Sequence, residues 1–236
     1  MEEVVQQTHQ QRTSNQQVAL GVIGCSFVGV VAFTSPFVFM QLKSALPYMA
    51  TPRSKVERAL QFISKRTHST THTQQLIRKN EKLFVDLGSG DGSTILTAAS
   101  LEWRATGFEL NPTLWFISSV RRLFSTSQIR NNSSIVLGDM FTNKIAKEKL
   151  QQSNCVMIFG VKSLMPQIAT LVQNHCHPGC YLISYRFKVP LLSEKKTSGV
   201  VSDAKDNDNL LDASLIDDED EMRIYQLSEN TKQRNN

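Results

Sequence analysis

Short apolar runs recur through the middle of the chain, near Leu83, Ala105, Ile135, Cys155 and Tyr181, each bounded by polar or glycine-containing text. They read as buried strands. Between them the apolar positions shift to helical spacing, for instance over residues 113–123 and 164–174. That alternation implies an α/β fold whose mostly parallel sheet is covered on both faces. Upstream, Thr51 before Pro52 predicts a helix start, with the hydroxyl as N-cap and Pro at the first helical position, running toward Ile63. Residues 67–80 are polar and Thr-rich and read as a linker. After Pro190 the pattern dissolves: residues 193–221 are polar, acidic and expected to be mobile. MRIYQL, Met222 to Leu227, alternates and is expected to return as an edge strand.

One apolar stretch is too long for a strand. Residues 18–40 carry no charge over 23 positions, about enough to cross a ~30 Å hydrocarbon core at ~1.5 Å per residue. The expectation is one N-terminal transmembrane helix, with Gly21, Gly24 and Gly29 permitting close helix approach and Pro36 kinking or ending it. A cleaved signal fits less well, because the chain begins MEEVVQQ rather than with a basic region. Lys43, Arg53, Lys55, Arg58, Lys65 and Arg66 follow the stretch, so the remainder is expected to face cytosol or mitochondrial matrix.

A length of 236 residues with 40% hydrophobic content suits one core-bearing domain with appendages. The net charge of +5 hides a division, since residues 203–221 hold nine acids against Lys205 and leave about +13 elsewhere. Lipid, nucleic acid or an acidic protein could meet that basic remainder, and so could solvent alone. Cys25, Cys155, Cys176 and Cys180 form no C-x-x-C pair, which fits a reducing compartment or buried thiols. His175, Cys176, His177 and Cys180 lie close together, but HPG is ordinary turn chemistry and no metal is expected.

The chemistry concentrates in VDLGSGDG, Val85 to Gly92. Gly88, Gly90 and Gly92 let the backbone turn tightly and approach a ligand. Their spacing is not the G-x-G-x-x-G of dinucleotide sites, and Asp86 would repel a pyrophosphate while suiting a ligand with an ammonium and a sulfonium. Glu109 lies one βα unit downstream, where a carboxylate can accept both ribose hydroxyls. The ligand these residues fit is S-adenosyl-L-methionine. SSIVLGDMF ends a further strand in Asp139, placed to accept an adenine amino group, with Met140 beside the ring. The candidate cofactor residues are Asp86, Gly88, Ser89, Gly90, Asp91, Gly92, Glu109, Asn111, Asp139 and Met140. No catalytic side chain is assigned, because methyl transfer needs positioning and a deprotonated acceptor. Tyr48, Phe159 and Tyr185, aromatics near strand or helix ends, are candidates for shaping an acceptor channel. Amide- or base-methylating enzymes end the fourth strand in Asn/Asp-Pro-Pro-aromatic, whereas IFGVKSL stands here, and Cys155 begins its strand at the wrong end for a nucleophile. No nucleic-acid partner is expected.

These segments resemble the seven-β-strand methyltransferases, and more narrowly the membrane-anchored mitochondrial protein-lysine methyltransferases acting on the ATP synthase c subunit or the adenine nucleotide translocase. PYMATPRSKVERAL, VDLGSGDG, GFELNPTLW, GDMF, VMIFGVKSLM and YLISYRF carry the resemblance. The chain departs from it at Lys162, where the family tends to carry Pro, and in the acidic stretch. The resemblance implies a Rossmann-like seven-stranded sheet, mostly parallel with an antiparallel last strand. It also implies that the acceptor channel is a lysine channel, with a protein substrate in a membrane complex and a mitochondrial inner-membrane location, the domain facing the matrix. The expected layout is a polar tail (1–17), a membrane anchor (18–40) contacting lipid, a methyltransferase domain (46–192), the acidic insertion (193–221), and a last strand with its tail (222–236). A small-molecule or lipid methyltransferase and a non-catalytic adaptor on the same fold are the alternatives.

Overall fold

The structure is a computed structural model describing residues 18, 21–32, 35, 51–69, 82–160, 162–193 and 210–229. The chain divides into two units, Met1–Ala45 and Leu46–Asn236. In the first, residues 21–32 are helical and exposed throughout, and Ser26 Oγ donates to Val22 O (2.8 Å). Among the described residues no helix is long and apolar enough to cross a membrane. Much of the apolar stretch at 18–40 lies outside them, as do the tail at 1–17, Tyr48 and most of the linker at 67–80.

In the second unit helix α1 (Arg53–Ser69) precedes strand β1 (Leu83–Leu87), α2 (Ser93–Ser100), β2 (Arg104–Glu109), α3 (Pro112–Leu123), α4 (Ser127–Asn131) and β3 (Ser133–Leu137). Then come α5 (Lys144–Gln152), β4 (Cys155–Ile158), a 3-10 turn (Lys162–Leu164), α6 (Met165–His175), β5 (Tyr181–Tyr185), β6 (Ala213–Glu219) and β7 (Met222–Leu227). The seven strands form one sheet in the order β3-β2-β1-β4-β5-β7-β6. β1 to β5 are parallel, while β7 runs antiparallel to both β5 and β6.

Period-two alternation divides the core between the two faces. Val85, Leu87, Phe108, Val156, Ile158 and Leu182 point to the face covered by α5 and α6. Phe84, Ala105, Met157, Ile183 and Tyr185 point to the other, under Val56, Ala59, Leu60 and Ile63 of α1 and Ile95 and Ala98 of α2. The four α1 residues repeat at i, i+3, i+4 and i+7, one helical stripe; full burial of a side chain such as Leu60 contributes about 1.5–3 kcal/mol.

Three expectations need correction. α1 starts at Arg53 and continues six residues past Ile63, with Lys65 and Arg66 exposed beyond the completed apolar stripe. Met222–Leu227 is not an edge strand: it is paired on both sides, to β5 and to β6. Residues 213–219, within the stretch expected to be mobile, form that outer strand. Their acids are carried on an exposed edge where ion pairs hold them: Asp217 and Glu219 with Arg58, and Asp218 with Arg223 (3.2 Å). Residues 194–209 lie outside the described residues.

Candidate active site

The carboxyl ends of the parallel strands carry the candidate residues. Gly88, Gly90 and Gly92 all have positive φ, at 104°, 55° and 78°, the left-handed region that glycine adopts without strain. Gly88 N–H and Ser89 N–H both donate to Phe108 O at 2.9 Å, drawing the turn across the end of β2. A Cβ on Gly92 would come within 2.8 Å of Ser118 Cβ, so the absence of a side chain lets the loop pack against α3. Gly107 on β2 is equally constrained, since a Cβ there would meet Ser89 Cβ at 2.6 Å and Ile95 Cγ1 at 2.8 Å. A glycine within a strand was the signal for that close approach.

Glu109, the last residue of β2, is fixed by backbone donors. Gly90 N–H donates to Oε2 (2.7 Å) and Asn111 N–H to Oε1 (2.8 Å). Burial raises its pKa, opposed by the N–H donors of Asn111, Gly90 and Leu110. Asn111 also caps α3, its Oδ1 accepting from Thr113 N–H (2.9 Å). Asp86 is only 4% exposed. Desolvation first, then the charges of Glu109 and Asp91, push its pKa up to about 8.

The other sequence-derived residues have mixed roles. Asp91 is held within the fold: Oδ1 accepts from Ser93 N–H (3.0 Å) and Oδ2 pairs with Arg121. Arg121 is a member of the site that the sequence did not announce, lying thirty positions away with no motif to link them. Ser89 Oγ is buried with no hydrogen-bond partner. Asp139 Oδ1 accepts from Phe141 N–H (2.9 Å) in the turn after β3, and Met140 packs on the core, half-buried. Gly138 N–H donates to Glu109 O (2.9 Å), joining the two turns. Of the three channel candidates, Phe159 and Tyr185 meet, with ring centroids 5.1 Å apart. Cys155, Cys176 and Cys180 are buried free thiols, and among the described residues no group of His, Cys, Asp and Glu could hold a metal. A 270 Å³ cleft lined by Arg104, Asn132, Ser134 and Lys149 opens at the amino ends of β1–β3, the edge opposite the glycine turn. Open α/β sheets bind ligands at the carboxyl ends, where the acids stand.

These features fit an adenosine sulfonium. A buried carboxyl with no cation beside it among the described residues suits an ammonium, an oriented glutamate suits a ribose, and Gly88, with nothing within 4 Å of a built Cβ, leaves room for close backbone approach. Strand order and site together define a seven-stranded S-adenosylmethionine-dependent methyltransferase. The fold matches an RNA methyltransferase from Salinibacter ruber, solved with S-adenosyl-L-homocysteine, at a TM-score of 0.51 and 18% identity, over 77% of this chain and 95% of that one. A profile of the ANTKMT methyltransferase domain matches residues 86–196. The ATP synthase C-subunit lysine N-methyltransferase of Rattus norvegicus is 30% identical over 190 residues, 80% of this chain and 78% of the relative. The Xenopus laevis protein of the same name is 30% identical over 174 residues, 73% and 68% of the two chains. The chain belongs to the family these relatives define, the S-adenosylmethionine-dependent protein-lysine N-methyltransferases.

Proposed function

We propose that the chain methylates a lysine of the ATP synthase c subunit, working from the mitochondrial inner membrane with residues 18–40 as a single-pass anchor and the domain from residue 46 facing the matrix. The relatives' names support the acceptor, and the charge-free stretch followed by basic residues supports the anchor. The observation that carries the chemistry is the pair of buried acids at the glycine turn.

S-adenosyl-L-methionine supplies a methyl group already activated on a sulfonium sulfur. Glu109, with each oxygen already bound to one backbone N–H, has lone pairs left for two ribose hydroxyls. Asp86 provides the negative charge for an ammonium, and Gly88, Ser89, Gly90 and Gly92 give the backbone its close approach. Asp139 and Met140 would hold the adenine, Asp139 as acceptor for its amino group and Met140 as an apolar neighbour of its ring. Asp91 and Asn111 hold this arrangement from behind, through Arg121 and the α3 cap. A free lysine has a pKa near ~10.4, so the acceptor must be neutral to attack. Desolvation next to a cationic sulfonium would disfavour its charged form.

The test is methyl incorporation into mitochondrial membranes from radiolabelled donor. Wild type should label one small membrane protein, Asp86→Ala and Glu109→Ala should not, and label in lipid or in no protein would overturn the reading. Deleting residues 18–40 should preserve activity on a soluble peptide and depress it on membranes.

A further inference from the structure

Asp86, Glu109, Phe159 and Tyr185 share more than an edge. By strand alternation Asp86 follows Phe84, and Glu109 follows Ala105, on the face covered by α1 and α2, where Phe159 and Tyr185 also pack. The registers Leu87↔Ile158 and Ile158↔Ser184 place Phe159 next to the glycine turn and Tyr185 next beyond it. A cation already sits there. Lys55 Nζ, reaching from α1, lies 5.2 Å from the Tyr185 ring centroid and donates to Asp220 O (2.6 Å). The Arg186 guanidinium is 5.7 Å from the same ring, and Arg186 holds a φ of 70° at the end of β5. Left-handed backbone at a non-glycine residue costs free energy and gathers at functional positions. Its amide is secured by Glu221 O (2.7 Å).

We propose that the Tyr185 ring and the Asp220 carbonyl form the entrance subsite for the acceptor lysine, and that Lys55 occupies it as an internal surrogate which the acceptor must displace. This rests on the lysine-acceptor reading above. An aromatic face with one carbonyl recognises an ammonium of any origin, and a chain whose site is filled by its own side chain binds its substrate more weakly by the fraction of time the site is closed. The simpler role, tying α1 to the β6–β7 turn, belongs equally to Arg58 through Asp217 and Glu219, which makes Arg58 the control.

The experiment uses full-length protein and a peptide carrying the acceptor lysine of the ATP synthase c subunit. Lys55→Met should lower the KM for peptide about five-fold, leaving kcat and the affinity for S-adenosyl-L-homocysteine unchanged, whereas Arg58→Gln should leave that KM unchanged. Tyr185→Leu should raise the KM and erase the effect of Lys55→Met. An unchanged KM in Lys55→Met, with unchanged Tm, overturns the proposal. If wild type does not methylate this peptide, the acceptor assignment fails and the subsite is read separately, from acylation of Lys55 by acetic anhydride followed by mass spectrometry. Butyltrimethylammonium should accelerate that acylation relative to sodium at equal ionic strength; no acceleration overturns the subsite whatever the acceptor.

Discussion

On the β1–β2 side of the sheet's carboxyl edge, Asp86 and Glu109 are buried: Asp86 feels the charges of Glu109 and Asp91, and Glu109 accepts from backbone N–H groups. On the β5–β7 side four of the hairpin's five acids meet an arginine: Asp217 and Glu219 with Arg58, Asp218 with Arg223, Glu221 with Arg186. Asp91 shows the same contrast within the glycine turn, because Arg121 neutralises it and it serves as a brace. Asp91, Asp217, Asp218, Glu219 and Glu221 have their cations inside the chain. On the reading proposed above, Asp86, a buried carboxyl with no cation beside it among the described residues, is completed by the ammonium of the ligand.

The contrast is broken most directly at Asp86. Asp86→Asn keeps the shape and removes the charge, so affinity for S-adenosylmethionine should fall about 100-fold, the scale of one desolvated charge pair, while Tm holds or rises. Calorimetry and thermal melts decide it, and retained affinity would erase the distinction between the two sides. The pH dependence follows from the same group. With the free-state pKa at about 8, a cationic ligand must draw a proton off Asp86 at pH 7, so affinity should weaken as pH falls below 8 and binding should release protons to the buffer. Without ligand, folded protein holds that proton while unfolded chain loses it near pH 3.8, so stability from this group is present at low pH and is lost as pH rises through that window. Asp86→Asn should flatten both profiles.

Gly92→Ala comes next. It combines positive φ with a 2.8 Å approach to Ser118 Cβ, and should destabilise by about 2–3 kcal/mol in urea unfolding. Gly88→Ala, with open space around it, should cost about 1 kcal/mol. The smallest effect is expected on the paired side: Arg58→Gln removes a partly exposed ion-pair cluster and should shift stability by no more than about 1 kcal/mol. A larger loss there would mean that the hairpin acids are as dependent on context as Asp86.

The parallel part of the fold was legible because its strands are continuous apolar runs and α3 and α6 keep a helical period over ten residues or more. β6 was not. ASLIDDE has one apolar face at most and ends in acids, so local pattern and composition both read as solvent-exposed chain; only pairing with β7 and arginines from α1 and β7 make it a strand. In the site, Asp86 and Glu109 were legible from glycine spacing and strand order. Asn111 caps α3 through its side chain while its backbone N–H reaches Glu109, a double role that its sequence assignment as a cofactor residue did not contain. Arg121 and Lys55 were beyond reach, since an ion pair across thirty residues or an ammonium on a ring leaves no periodic trace in a sequence.

Because β7 lies inside β6, the place beside β5 is filled by the later of the two strands. During synthesis β5 therefore waits with an open hydrogen-bonding edge until residues 222–227 have left the ribosome, and Tyr225, buried at the centre of that strand, is the last large side chain to enter. Premature termination anywhere before Met222 would release a chain with its cofactor motifs present and its sheet unsealed, a species that quality control should remove rather than one with partial activity.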